Sequence, residues 1–196
     1  MSKSGVWTIA TLAFVVLAIV LPALGQTKAA KSQTNPIVVL DTTMGAIKVQ
    51  LFADKAPVTT KNFLEYVNSG FYSGTIIHRI DFVVGLGGYT EALTPKPTRP
   101  PIKNESKNGL KNLRGTLAMA RYSDPDSATS QFFINLKDNT HLNPSGGGFG
   151  YAVFGKVIEG MDVVESIAKV KTGNKGPFSN IPLQTISVKS ARVLTK

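Results

Sequence analysis

Short segments with strand character, separated by turn residues, are the feature that most constrains the fold of this chain. Residues 46–52 alternate apolar and polar side chains, which is typical of a half-buried strand. Apolar residues recur at helical spacing after Pro57 and after Gly160. Because strands and helices do not alternate, the pattern predicts a mainly β fold, a closed antiparallel barrel of about eight strands capped by two α-helices. The other segments with β-branched or small apolar residues are 37–42, 75–90, 116–120, 130–135, 151–157 and 185–193.

Glycine and proline mark the loops between these elements. Residues 91–101 carry four prolines and show no periodicity. Residues 143–150 and the segment between the second helix and residue 185 are rich in glycine or proline, and we expect both to be loops. The glycines of 143–150 do not form a phosphate-binding motif, because no strand-to-helix context surrounds them.

Residues 75–90 contain an arginine in an unusual setting. The segment predicts two short apolar strands joined by a charged corner, with Arg79 at the end of the first strand. Its neighbours Ile77, Ile80 and Phe82 are apolar. An arginine placed in this way either pairs with an acidic partner or points its guanidinium group into a cleft.

Composition excludes several classes of function. The 196 residues are 42% hydrophobic and 17% charged, which fits one globular domain. The absence of cysteine excludes disulfides, thiolate metal sites and a cysteine nucleophile, and only two histidines are present, so we expect neither a metal nor a cofactor. The net charge of +10 is scattered without a basic block, which predicts a soluble basic surface and no nucleic-acid partner.

The N-terminal residues have the pattern of an export signal. Lys3 precedes an apolar run over 6–21, and Ala23-Leu24-Gly25 has small residues at the positions that signal peptidase recognises. We therefore predict a signal peptide at 1–25, a flexible leader at 26–35, one domain at 36–196, and export to the periplasm. The apolar run is short for a bilayer span of ~20 residues, yet an uncleaved membrane anchor stays open as the alternative.

A set of motifs follows in fixed order along the domain, and the most specific is Ser-Gln-Phe-Phe-Ile-Asn at 130–135, which follows Gly-Thr-Leu-Ala-Met-Ala at 115–120. These motifs resemble those of the cyclophilins, in particular the secreted cyclophilins of Gram-negative bacteria. The resemblance implies a peptidyl-prolyl cis-trans isomerase with a barrel fold and a substrate groove on the outside of one face. The other matching blocks are 56–57 with 62–63, 70–72 with 77–79, 101–105, 126–129, 151–157 and 160–164.

The resemblance also implies roles for individual residues. Arg79 matches the catalytic arginine, while Gln131 and the backbone of Arg121 match positions that bind the substrate main chain. Ala120 borders a second pocket, which selects side chains before the proline. His141 stands at a groove position where relatives have tryptophan or phenylalanine, and Tyr151 stands where relatives have histidine. The positions that match the lining of the proline pocket are Phe82, Val83, Met119, Phe133 and Leu142.

The chain departs from the family pattern directly after Arg79. The corner is shorter by two residues, by our alignment, and Gly85 stands where the family has a glutamine that holds the arginine. Val83 is smaller than the usual methionine, so a wider pocket is expected. Asp81 either pairs with Arg79 and replaces the missing restraint, or neutralises it.

Two functions are consistent with the sequence. The first is an isomerase that accelerates rotation of X-Pro bonds in exported proteins and assists their folding. It would act as a monomer on proline-containing polypeptides, away from the membrane after signal removal, with weak affinity for cyclosporin-like ligands. The alternative is a catalytically weakened cyclophilin that acts as a proline-peptide binding module or chaperone. Intact Arg79, Gln131 and Phe133 favour the first function, while Gly85 and the short corner favour the second.

Overall fold

The structure, a computed structural model, describes Met1 and residues 35–194. The predicted first strand and both predicted helices are present, and the other strands differ from prediction by a few residues at their ends. In chain order the elements are β1 (Ile37–Thr42), β2 (Gly45–Leu51), α1 (Pro57–Asn68), β3 (Ile77–Ile80), β4 (Val83–Leu86), β5 (Thr116–Met119), β6 (Phe132–Asn135), a 3₁₀ turn (Thr140–Leu142), β7 (Val153–Glu159), α2 (Met161–Ala168), β8 (Thr172–Lys175), β9 (Phe178–Pro182) and β10 (Val188–Val193).

Eight of these strands form one curled antiparallel sheet in the order β10-β1-β2-β7-β5-β6-β4-β3. The mainly β, eight-stranded prediction is therefore confirmed, but full closure of the barrel is not. Between the edge strands, the described residues show one isolated bridge, Ile76 to Ser187. Beside it, the N–H of Ile77 donates to the carbonyl of Ile186 at 2.9 Å, and that of Val188 to the carbonyl of Thr75 at 2.8 Å.

The inner face of the curled sheet is packed with aromatic rings. Phe63 of α1 is fully buried, and its ring centroid lies 5.2 Å from those of Phe132 and Phe154 and 5.3 Å from that of Tyr72. Such tilted and edge-to-face ring pairs stabilise a core beyond the area they bury. Helix α1 therefore covers the interior of the sheet and leaves the outer face of β4, β5 and β6 free to carry a site.

The N-terminus of α1 is capped by a residue distant in sequence. Ala56 at the N-cap position provides no side-chain hydrogen bond. Glu105 supplies it instead, since its carboxylate accepts the backbone N–H groups of Val58 at 3.0 Å and Thr59 at 2.8 Å, and the Thr59 hydroxyl at 2.7 Å. A carboxylate at this end of a helix also interacts favourably with the helix dipole. The loop that contains Glu105 is thereby attached to α1.

The segment between α2 and β10 was predicted as a loop, and this prediction is wrong. Residues Thr172–Lys175 and Phe178–Pro182 form a two-stranded ribbon, β8-β9. No apolar alternation marks β8, because nearly all of its side chains are exposed and the pairing uses the backbone alone. The ribbon is attached to the sheet through Phe178, whose ring centroid lies 4.8 Å from that of Tyr89.

The predicted signal peptide and nearly all of the predicted leader lie outside the described residues. Within residues 35–194, neither helix has the length and apolar character needed to cross a bilayer. The same part of the chain contains no group of three or more His, Cys, Asp or Glu side chains arranged to hold a metal ion.

Candidate active site

Strand register aligns five residues on the outer face of the sheet. Arg79 of β3 pairs with Gly85 of β4, which pairs with Phe133 of β6. Phe133 pairs with Ala118 of β5, and Ala118 with Val153 of β7. Residues directly opposite each other point to the same face, and neighbouring strands lie about 4.8 Å apart. The backbones of Arg79 and Phe133 are therefore roughly 10 Å apart, and the residue between them carries no side chain.

An apolar outer cluster lies beside the arginine. Val83, Ala118, Phe133 and Val153 are buried in contact with one another, separately from the aromatic interior. Of the residues predicted to line the groove, the structure brings together Phe82, Val83, Ala120, Phe133, Leu142 and Tyr151 in or against this cluster. Ala118 and Val153 were not among the predicted groove residues.

The predicted position of Met119 in the proline pocket is wrong. Met119 is 1% exposed and packs in the aromatic interior, because it pairs with Phe132 on the inner face of the sheet. Its neighbour Ala118 points outward with Phe133. Side chains alternate between faces along a strand, so Met119 and Ala118 cannot both line the outer cleft.

Arg79 is paired with Asp81, which was one of the two alternatives for this arginine; the other was a guanidinium group that points into a cleft. The Nε and Nη2 atoms of Arg79 lie 2.7 Å and 2.6 Å from Oδ2 of Asp81. The Arg79 side chain is 50% exposed, and its Cζ lies 5.5 Å from the centroid of the Phe82 ring. The guanidinium group is thus held at the edge of the outer cluster while part of it faces solvent.

A side cleft lies next to the outer cluster. The amide group of Gln131 lies against the backbone of Gly88, where a Cβ would come within 2.8 Å of Nε2. The carbonyl of Gln131, directly before β6, accepts the N–H of Ala120, directly after β5, at 3.0 Å. Both residues line the cleft, together with Tyr89, Arg121, Tyr122, Ser127 and Thr129.

The Arg121 side chain is hydrogen-bonded to backbone carbonyls of neighbouring loops. Its guanidinium nitrogens donate to the carbonyls of Tyr122 at 2.8 Å, Phe149 at 3.0 Å, Gly150 at 3.1 Å and Ser123 at 3.3 Å, and its Cζ lies 4.9 Å above the Tyr151 ring. These bonds hold two loops together at the rim of the cleft. The prediction that Arg121 binds substrate through its backbone is compatible with this arrangement, but remains a prediction.

A buried network of asparagines was not predicted. Asn112, Asn135 and Asn139 are fully buried. Nδ2 of Asn139 donates to Oδ1 of Asn135 at 2.8 Å, and Nδ2 of Asn135 to Oδ1 of Asn112 at 3.2 Å. The N–H of Asn112 donates to Oδ1 of Asn143 at 2.8 Å. Buried amides joined in this way rigidify the segments that carry them.

The asparagine network ends on carbonyls of the outer cluster. Asn139 donates to the carbonyl of Phe82 at 3.1 Å, and Asn112 donates to those of Tyr151 at 3.2 Å and Leu142 at 3.4 Å. Three separate segments of the cluster are therefore tied to one buried core. Sequence patterns did not reveal this network, because Asn135 ends β6 while its partners lie on separate loops, where asparagine is common.

The two histidines occupy different positions. His78 lies at a register shift of β3, and its ring centroid is 5.0 Å from that of Tyr89. Burial, reinforced by the charge of Arg79, lowers the pKa of His78 to about 4, so the ring is neutral at neutral pH. His141 is exposed at the rim, with its ring centroid 5.3 Å from that of Phe82.

Comparisons with known proteins agree on one family. Residues 37–193 match the family described as cyclophilin type peptidyl-prolyl cis-trans isomerase/CLD. Peptidyl-prolyl cis-trans isomerase A of Dickeya dadantii is 50% identical over 187 residues, covering 94% of this chain and 97% of that protein. Peptidyl-prolyl cis-trans isomerase B of Escherichia coli K12 is 49% identical over 162 residues, covering 80% of this chain and 99% of that protein.

A solved structure shows the same architecture. The crystal structure of a cyclophilin type peptidyl-prolyl cis-trans isomerase of Cryptosporidium parvum, in the presence of the dipeptide Ala-Pro, has a TM-score of 0.71 and 29% sequence identity to this chain. The similarity covers 82% of this chain and 99% of that one. Fold and sequence together define the chain as an isomerase. It belongs to the cyclophilin-type peptidyl-prolyl cis-trans isomerase family, as the sequence motifs predicted.

Proposed function

We propose that this isomerase acts on X-Pro bonds of exported proteins during their folding, with Arg79 as its catalytic residue. The observation that carries the proposal is the outer row of residues. It sets Arg79 beside an apolar surface centred on Phe133, and the intervening Gly85 has no side chain to separate them. A charged donor next to an apolar surface suits a substrate with a polar amide and an apolar ring.

The reaction requires a twisted amide to be favoured over both planar forms. Resonance stiffens the C–N bond, with a barrier of about 18–20 kcal/mol, and no bond is made or broken during rotation. The twisted nitrogen becomes pyramidal and gains a lone pair. A guanidinium N–H of Arg79 donates to that lone pair or holds the carbonyl side of the substrate, and either contact opposes conjugation. One fixed charged donor in a partly dry cleft contributes roughly 3–4 kcal/mol.

The remaining residues bind the substrate on either side of the bond. Phe133, Val83 and Leu142 would hold the pyrrolidine ring while the preceding residue turns, and burial of a ring of this size contributes about 1–2 kcal/mol. Gln131 and the backbone of Arg121 would hold the peptide main chain at the side cleft. The Ala-Pro dipeptide present with the Cryptosporidium protein supports proline-containing peptides as substrates.

Arg79→Ala tests the proposed catalysis. With an Ala-Pro tetrapeptide and NMR exchange as the assay, we expect kcat/KM to fall about 100- to 1,000-fold, because one charged donor is lost. Arg192→Ala is the matched control, since Arg192 is exposed on β10 and pairs with Val39 of β1, away from the outer cluster. A rate unchanged by Arg79→Ala refutes the catalytic role. Peptide binding by both proteins without acceleration by either favours the binding-module alternative.

The export role rests on residues 1–25 and is tested separately. The full chain, expressed in a Gram-negative host, is expected in the periplasmic fraction with a mature N-terminus at Gln26. Retention of residues 1–25 in the membrane fraction would favour the anchored alternative, and a cytoplasmic full-length product would refute export.

A further inference from the structure

Asp81 holds the Arg79 guanidinium group through a single carboxylate oxygen. Oδ2 accepts the Nε–H at 2.7 Å, and it lies 2.6 Å from Nη2 in the same ion pair. A guanidinium group has five N–H donors, so a contact made through Nε and Nη2 leaves at least the two donors of Nη1 available to a substrate. The pair thus fixes the plane of the group without using all of its hydrogen-bonding capacity.

The carboxylate of Asp81 is itself fixed by the turn that contains it. Its second oxygen, Oδ1, accepts the N–H of Val83 at 3.1 Å. In the other direction, the N–H of Asp81 donates to the carbonyl of Val83 at 3.0 Å. Both carboxylate oxygens therefore have partners, and the side chain, which is only 19% exposed, cannot rotate without breaking one of these bonds.

The corner formed by Asp81 and Phe82 is attached to the body of the domain. The carbonyl of Phe82 accepts the N–H of Leu136 at 3.2 Å and Nδ2 of Asn139 at 3.1 Å. Asn139 is fully buried, so this anchor belongs to the rigid part of the protein. The buried asparagines are consequently connected to Arg79 by a hydrogen bond to Phe82, the backbone of the corner and the carboxylate of Asp81.

Asp81 has two opposing effects on Arg79, and the geometry decides between them. The first is partial neutralisation, which is weak here because the Arg79 side chain is half exposed and water and salt screen the charges. The second is orientation, for which a displacement of ~1 Å can reduce a rate on the order of 100-fold. No side chain restrains Arg79 from the next strand, since its partner there is Gly85. Orientation therefore dominates.

We propose that Asp81 is the positioning residue of this isomerase, and that it aims the Arg79 guanidinium group at the substrate amide. The proposal rests on the proposed catalytic role of Arg79. It means that the short corner does not weaken the enzyme, because the restraint on the arginine is supplied from within the corner itself.

Asp81→Asn tests the proposal, because it keeps the size of the side chain and removes its charge and one acceptor. We expect kcat to fall about tenfold, with peptide affinity measured by NMR titration changed less than about twofold. The Arg79 Nε–H signal should lose its protection from solvent exchange. Asp54→Asn removes the same charge from an exposed side chain and should leave all three measurements unchanged.

Double variants separate positioning from a purely structural role. In the Arg79→Ala background, Asp81→Asn should cause no further loss of rate, because there is no guanidinium group left to orient. An equal loss in both backgrounds, or a kcat that stays constant or rises in Asp81→Asn alone, overturns the proposal. A rate unchanged by Arg79→Ala overturns the proposed function itself, so the two failures are distinguishable.

Discussion

A methyl group added at Gly88 should displace the Gln131 side chain from the side cleft. A Cβ at Gly88 would lie 2.4 Å from Cγ, 2.7 Å from Cδ and 2.8 Å from Nε2 of Gln131. Cγ follows directly from the first side-chain torsion, so Gln131 must change rotamer to relieve the overlap. Gly88 does not have a left-handed φ, and Gly88→Ala therefore acts through Gln131 and not through backbone strain.

The size of the effect follows from the hydrogen bonds that Gln131 is proposed to make with the substrate main chain. Each such bond contributes ~0.5–1.5 kcal/mol net, so losing one or both should raise KM about threefold to tenfold. We expect kcat to change less, because Arg79 is untouched. The assay is NMR exchange over a range of Ala-Pro tetrapeptide concentrations. Gly148→Ala is the control, since its Cβ would meet only the carbonyl of Ser145, at 3.3 Å.

The Gln131→Ala variant identifies the route of the effect. It should raise KM by a similar factor, and Gly88→Ala added to it should have no further effect, because the atoms that clash are gone. If Gly88→Ala leaves KM unchanged, or raises it by the same factor in the Gln131→Ala background, the assignment of Gln131 to substrate binding through this contact is wrong.

Two further predictions concern stability. Glu105→Ala should lower the free energy of unfolding by about 2 kcal/mol in urea titrations, because two N–H groups of α1 lose their cap; a loss within error of zero would contradict the capping. Burial and the Arg79 charge lower the pKa of His78 from 6.5 to about 4. The unfolded chain therefore binds this proton more tightly, and stability present above pH ~6.5 should fall by up to about 3 kcal/mol as the pH decreases to ~4. His78→Phe should remove this part of the pH dependence, and an unchanged slope would refute it.

Strand alternation predicted part of the outer cluster from the sequence. In the motif at 130–135, alternation requires Phe133 and its neighbour Phe132 to face opposite sides, and the structure places Phe133 in the outer cluster and Phe132 in the interior. The same rule applied to β5 would have corrected Met119, since a motif match identifies neighbouring positions without saying which face each occupies. Periodicity was the more reliable signal for the direction of a side chain.

The sequence did not predict the contacts between distant segments of the chain. Glu105 accepts the N–H of Val58, which lies 47 positions earlier, and Asn139 donates to a carbonyl 57 positions away. Glutamate and asparagine show no periodic pattern that would mark such contacts, and both are common in exposed loops. The β8-β9 ribbon was not predicted for a related reason. Its strands are paired by backbone groups, and Phe178 is the one aromatic residue of the ribbon that packs on the rest of the domain.

The position of the outer row from Arg79 to Val153 is set by the inner face of the sheet and does not depend on the length of the corner. Ile80 pairs with Val84, and Val84 pairs with Ile134, all of them buried on the interior side. A shift of one residue between these strands would turn each of these side chains out of the core, at a cost of roughly 1.5–3 kcal/mol for each. The register that aligns Arg79 with Phe133 is therefore fixed by residues that never touch the substrate. The corner has only to orient the guanidinium group, and two residues suffice for that because one of them is an aspartate bonded to the turn.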